Sequence, residues 1–244
     1  MKKLHVILLC LALVSIAVML LGNLVRAAPQ GAWIKSPNKP VLEPGPKGSW
    51  DQNGVYRQTV IKDGTTYKMW YVGIDANWNK AIGYATSSDG VTWDKYAGNP
   101  VLTAGPSGSW DSRFISKPSV IKNGTTYEMW YYAYNDNWES AIGHATSPDG
   151  ITWTKDPANP VLTTGPSGSW DSQYIYAPSV VHTGTAYEMW YVGINDDGDT
   201  AIGHAVSLDG TAGTLWAKDP ANPVLEPGGD GAWDESWVAH PYVL

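Results

Sequence analysis

The chain has a single cysteine, Cys10, a single phenylalanine, Phe114, and 16 basic against 23 acidic residues. With one cysteine, neither disulfides nor thiolate metal sites can stabilise the fold or supply its chemistry. The charge balance excludes two partner classes. A surface of net charge −7 repels nucleic acid and anionic lipid, so neither is expected as a ligand. No sequence motif implies a cofactor or a metal. Helix signals are also scarce, because no long stretch repeats apolar residues at helical spacing.

A long apolar run occurs once, at the start. Lys2 and Lys3 precede Leu4 to Leu21, and Val25-Arg26-Ala27 follows as a small-x-small site. That layout predicts a secretory signal peptide over residues 1–27, cleaved after Ala27. An uncleaved membrane anchor is the alternative, since the run is nearly long enough to span a bilayer. In either case residues 28–244 are expected outside the cytoplasmic membrane. Leu9 stands where a lipoprotein site wants a small residue, which argues against lipidation of Cys10.

What the chain has in abundance is Trp and Tyr, 14 of each. Both join a flat apolar face to a polar edge, and both suit blade packing as well as wet ligand-facing surfaces. A repeat helps to separate these uses. Gly108-Ser109-Trp110-Asp111 recurs as Gly48-Ser49-Trp50-Asp51, Gly168-Ser169-Trp170-Asp171 and Gly231-Ala232-Trp233-Asp234, with the aspartates 60, 60 and 63 residues apart. The longer interval contains an insertion at Thr211-Ala212-Gly213. Self-similarity at this period marks an array of supersecondary units.

Each unit reads as four antiparallel strands. In the second, Ile115–Ile121 ends at the Asn123-Gly124 hairpin turn, and Thr126–Tyr132 follows. A polar loop then leads to Ala141–Thr146, and Asp149-Gly150 turns the chain into a fourth strand at Thr152-Trp153. The expected fold is all-β, a β-propeller of roughly 60-residue blades at 55–95, 115–155 and 175–218. Partial blades are expected at 31–35 (a fourth strand) and 238–244 (a first strand). On this count the second and third strands of a final blade are missing. The sequence therefore reads as truncated, or as closing through self-association at open blade edges.

Alternating strand direction puts the short Asn-Gly and Asp-Gly turns on one face. The Gly-Ser-Trp-Asp segments and the loops bearing Trp78 and Trp138 lie on the other, where a ligand site is expected. Residues that break the repeat are the candidates: Tyr56, Arg57, Arg113, Lys117, Tyr176, Trp237 and His240 on or near first strands, with Trp78 and Trp138 in loops. Aromatic rings stack on sugar C–H faces while polar side chains bind hydroxyls, so an extracellular glycan is the expected partner. Two readings stand for Arg57 and Lys117: contact with an anionic sugar group, or neutralisation of nearby aspartates.

Asp51, Asp111, Asp171 and Asp234 occur in every unit, which favours a structural role in the connections over catalysis. Ser87-Ser88-Asp89-Gly90-Val91-Thr92-Trp93 is read as a structural turn of the same kind. His144 and His204 share a position with Tyr84 and are expected to pack between blades. The loop Asn195-Asp196-Asp197-Gly198-Asp199 lacks the spacing of a calcium loop and is read as a solvated turn.

The series Asn-Pro-Val-Leu, Gly-Ser-Trp-Asp, Lys-Pro-Ser-Val-Ile, Tyr-Glu-Met-Trp-Tyr and Ile-Gly-His-Ala-Thr-Ser-Pro-Asp-Gly-Ile-Thr-Trp resembles the blades of glycoside hydrolase families 43 and 32. The resemblance implies a five-bladed propeller acting on polysaccharides. It also implies two catalytic carboxyl groups, projecting from innermost strands. The matching positions here, six residues after each Trp-Asp aspartate, are Arg57, Lys117, Ala177 and His240, none of them an acid. The expectation is a glycan-recognising protein with hydrolysis left open. The alternatives are a glycosidase whose acids lie in missing blades or at positions such as Asp51 or Glu235, and a propeller serving a protein partner.

Overall fold

The computed structural model describes residues 40–211 and 216–244. The expected signal peptide, Cys10, the partial blade at 31–35 and most of the insertion at 211–213 lie outside the described residues. The described chain is all-β, with no helix.

Three antiparallel sheets follow one another along the chain, each with its strands in sequence order. The first comprises β1 (Gly54–Asp63), β2 (Thr66–Ile74), β3 (Lys80–Ser87) and β4 (Asp94–Lys95). The second comprises β5 (Phe114–Asn123), β6 (Thr126–Tyr134), β7 (Ser140–Ser147) and β8 (Thr154–Lys155), with β9 (Leu162–Thr163) also paired to β7. The third comprises β10 (Tyr174–His182), β11 (Tyr187–Ile194), β12 (Thr200–Ser207) and β13 (Ala217–Lys218).

Two local expectations are corrected. The fourth strand begins two residues later than Thr152. The Asp149 carboxylate accepts the backbone N–H groups of Ile151 and Thr152, which holds that stretch as a turn. Residues 238–244 form no ladder among the described residues. Their backbone N–H at Val243 donates to Ser179 Oγ at 3.0 Å, just as Val180 donates to Ser119 Oγ at 3.0 Å. The segment thus sits against β10 as β10 sits against β5.

The repeated residues hold the sheets together. Trp70 and Trp130, both fully buried, donate their indole N–H groups to the carbonyls of Gly150 and Gly210, each in the next sheet. Trp50, Trp110 and Trp170 each lie on a strand glycine of their own sheet. A Cβ at Gly143 would stand 2.4 Å from the Trp110 ring, and one at Gly203 2.4 Å from that of Trp170. This is the reason for Ile-Gly in every third strand. The aspartate beside each tryptophan is 2% exposed at positions 51, 111 and 171. There it accepts from a serine two residues back and pairs with Lys95, Lys155 or Lys218 at 2.5–2.6 Å.

His144 is also buried, stacked at 5.0 Å on Trp130 and flanked by Glu128 and Asp156 at 3.5 and 3.6 Å. His204 repeats the arrangement with Trp190, Glu188 and Asp219. Asn195 Oδ1 accepts the backbone N–H groups of Asp197 and Asp199, closing the acidic loop as a local turn.

Candidate functional site

The strands β1, β5 and β10 are neighbours across the three sheets, and residues 238–244 continue the series. Their second halves surround a cavity of about 440 Å³ lined by Thr59, Ser119, Ser179 and Val243 among others. Their first halves carry the candidate site.

Each of these inner strands is interrupted at one place. The register shifts between Tyr56 and Thr59, between Ser116 and Ser119, and between Tyr176 and Ser179. At the break the backbone is left-handed, with φ of 51° at Arg57, 44° at Lys117 and 57° at Ala177, and His240 in the C-terminal segment shares that conformation at 59°. Such a break re-aims the side chain it carries. Because Ala177 shares the geometry, the bend belongs to the scaffold, and only the side chains differ between units.

The side chains at these positions form a cationic cluster. Arg57 Nη1 donates to Ser116 Oγ at 3.3 Å and to the Tyr132 hydroxyl, both in the second sheet. Lys117 Nζ lies 2.8 Å from Nδ1 of His240. Burial lowers the Lys117 ammonium to about 8, and the Arg57 guanidinium pushes it the same way. Burial also lowers Lys80, on β3, with Arg57 again adding to the effect. His240 falls below its ordinary value through burial and then through repulsion by Lys117 and Arg57. Tyr56 and Tyr176 are raised, chiefly by burial.

Beside this cluster runs an open groove of about 510 Å³, lined by Trp78, Lys80, Arg113, Phe114, Asp136 and Trp138 among others. Trp78 and Trp138 are 70% and 51% exposed, each at φ 65° in the loop between second and third strands. The Arg113 guanidinium stacks 3.7 Å over the Trp138 ring, and Lys80 Nζ lies 4.0 Å above Phe114. Phe114 meets Trp138 at 6.4 Å and Tyr132 at 6.3 Å; Tyr132 meets Tyr176 at 5.9 Å, and Tyr176 meets His240 at 6.0 Å. Groove and cationic cluster are thereby joined by a continuous row of rings.

Of the sequence candidates, Tyr56, Arg57, Lys117, Tyr176 and His240 gather in the cluster, and Trp78, Arg113 and Trp138 gather in the groove. Trp237 does not join them. It is 71% exposed and stacks on none of these rings. Lys80, Phe114, Tyr132 and Tyr134 were missed by sequence reasoning. A signal existed for the tyrosines, since Tyr132 and Tyr134 replace Val72 and Ile74 of the first unit and Val192 and Ile194 of the third. No carboxylate pairs with Arg57, Lys80, Lys117 or His240 among the described residues. No group of three or more His, Cys, Asp or Glu suited to a metal ion occurs among them either.

No family model matches the chain. An uncharacterized protein of Mycobacterium tuberculosis is 28% identical over 231 residues, covering 91% of this chain and 73% of its own length. A beta-1,2-mannobiose phosphorylase of Thermoanaerobacter is 27% identical over 111 residues, 40% of this chain and 35% of that protein. Among solved structures, a family 117 glycoside hydrolase from Zobellia galactanivorans aligns with a TM-score of 0.65 at 19% identity, over 78% of this chain. The chain spans 62% of that hydrolase's length. The beta-1,2-mannobiose phosphorylase of Listeria innocua aligns with a TM-score of 0.60 at 18% identity, over 79% of this chain and 50% of the enzyme. The chain thus shares the fold of glycoside hydrolase-like propeller proteins.

Proposed function

We propose that this chain is an exported glycan-recognition protein on a glycoside hydrolase-like propeller, binding without hydrolysis. The carrying observation is the row of rings from Trp138 through Phe114, Tyr132 and Tyr176, open to solvent at the groove and flanked by Arg113 and Lys80. Stacked rings bearing adjacent hydrogen-bond donors suit the alternating C–H and hydroxyl surfaces of a sugar chain. The fold neighbours, a glycoside hydrolase and a mannobiose phosphorylase among them, support a carbohydrate ligand by analogy of scaffold.

The inner-strand residues argue for binding over cleavage. Arg57, Lys117, Ala177 and His240 supply no carboxyl group where such chemistry needs a proton donor and a base or nucleophile. Export rests on the signal-peptide layout of residues 1–27. Screening the purified protein on a glycan array tests the reading, with Trp138→Ala as the control for the groove. Binding that Trp138→Ala abolishes supports it. An empty array, with a protein partner captured through the same tryptophans, would overturn it.

A further inference from the structure

Arg57, Lys80, Lys117 and His240 stand close enough to repel one another, with Lys80 also lining the groove, and they lack the carboxylate partner that five other lysines of these sheets possess. Lys95, Lys155 and Lys218 each meet a buried aspartate, and Lys68 and Lys122 share Asp63. The groups facing the cluster are different in kind. From β1 comes Tyr56, from β5 Ser116, from β6 Tyr132, from β10 Tyr176, and from the C-terminal segment His240. Neutralisation by aspartate, one of the two readings of Arg57 and Lys117, is thus excluded among the described residues.

The arrangement is costly without a partner. Part-buried cations lose hydration, and here they also repel one another, since Arg57 destabilises the charged forms of Lys80, Lys117 and His240. Lys117 has three N–H donors, and one of them meets a ring nitrogen of His240. Arg57 has five, of which those at Nη1 meet Ser116 and Tyr132. The remaining donors lie on a chain of net charge −7 that supplies no acid here. An oxyanion held at the end of the aromatic row, beside Tyr176, would meet donors from β1 and β5 at once.

We propose that Arg57, Lys117 and His240, with Lys80 on the groove side, form an oxyanion subsite, and that the glycan in the groove carries the acidic group it holds. Its carrier being a glycan rests on the reading given above. The oxyanion is a uronate carboxylate or an ester-linked sulfate or phosphate, and all three offer the planar or tetrahedral oxygens that Arg and Lys recognise.

Isothermal titration calorimetry on the full chain separates the possibilities. A galacturonate oligosaccharide, a neutral galactose oligosaccharide of equal length and inorganic phosphate are titrated into wild type, Lys117→Met and Lys80→Met. The expected result is tighter binding of the acidic oligosaccharide than of the neutral one. Removing one charged donor should weaken only the acidic ligand, by about 10- to 100-fold. Lys80→Met, at the groove end of the cluster, gives the same reading should Lys117→Met fold poorly. Equal affinity for both oligosaccharides, or acidic binding indifferent to both substitutions, overturns the proposal. Lys117-dependent phosphate binding without any oligosaccharide binding keeps the oxyanion subsite and overturns the glycan reading.

Discussion

Trp70 donates its indole N–H to the carbonyl of Gly150 at 2.7 Å, across the boundary between two sheets and 80 residues along the chain. Trp130 and Gly210 repeat the bond at 3.0 Å over the same separation. Gly150 also accepts from Trp153 of its own turn at 3.0 Å, so one carbonyl ties two indoles edge to face. The glycine is required twice over. Its φ is 82°, and a Cβ there would stand 2.8 Å from the Trp70 ring.

The lock between sheets gives the first prediction. Trp70→Phe removes a buried donor and leaves a void, and should cost about 2 kcal/mol in denaturant unfolding. Gly150→Ala should cost at least as much, because the added methyl meets both a left-handed backbone and a ring. Unfolding free energies within error of wild type for both variants would show that the sheets hold together by other contacts.

The second prediction separates scaffold from site at the repeated aspartates. Asp111 is 2% exposed, and its carboxylate joins Ser109 to Lys155. Asp111→Ala should destabilise the protein by about 3 kcal/mol, since it removes a buried partner from a part-buried ammonium. Glycan affinity of the folded fraction should be unchanged. A double-mutant cycle with Lys155→Met measures the coupling directly.

Much of this scaffold is legible in the sequence. The 60-residue period, the Asn123-Gly124 and Asp149-Gly150 turns and the alternation in Tyr127–Tyr132 locate strands that the structure places within a residue or two of expectation. The fourth strand begins later than the pattern predicts because Asp149 captures two backbone N–H groups, a contact that pattern alone does not announce. The site is less legible for a physical reason. Its contacts cross between units about 60 residues apart, such as Arg57 with Ser116 and Tyr132, and depend on inner strands converging. Residues that break the repeat supplied most of the cluster. Lys80 remained hidden because nothing in its local pattern marks a charge that faces Phe114. Trp237 breaks the repeat as well, yet it stands apart from the site and is exposed.

The groove carries the third prediction. Trp78 and Trp138 are exposed, so Trp78→Ala/Trp138→Ala should leave the melting temperature within a few degrees of wild type. Loss of two stacking platforms should weaken oligosaccharide binding by at least about 10-fold. A large fall in stability with affinity intact would make these rings scaffold.

The fourth prediction follows from Lys117. In the free protein its ammonium is lowered to about 8, while His240 lies below its ordinary value, so at neutral pH the lysine carries charge and the imidazole is largely neutral. An acidic ligand binds the protonated lysine. Its affinity should therefore be nearly flat from about pH 7 to 7.5 and fall as pH rises through about 8. Binding should draw in protons in that window, because the bound anion raises the lysine. Calorimetry in buffers of different ionisation enthalpy would measure this uptake. The Lys117→Met protein should show neither the fall nor the uptake, and their persistence in that variant would assign the titration elsewhere.

The last prediction concerns bond cleavage. Glycosidic hydrolysis needs a proton donor and a base or nucleophile, commonly two carboxyl groups about 5 to 10 Å apart across the bond. The inner-strand positions hold Arg57, Lys117, Ala177 and His240. Cations there oppose an oxocarbenium-like centre, whose positive charge carboxylates would stabilise. The buried acids Asp51, Asp111 and Asp171 are each committed to a lysine behind a tryptophan. Asp136, in the groove, accepts from Gly108 N and Ser107 Oγ. The purified chain should therefore release no reducing sugar from arabinan, xylan, fructan or mannan above a buffer blank, while retaining its affinity for the glycan it binds. Turnover that disappears on Asp→Asn substitution at position 51, 111, 171 or 136 would turn these scaffold acids into catalysts. It would leave the cationic cluster to hold the acidic group of a substrate that is cut and released.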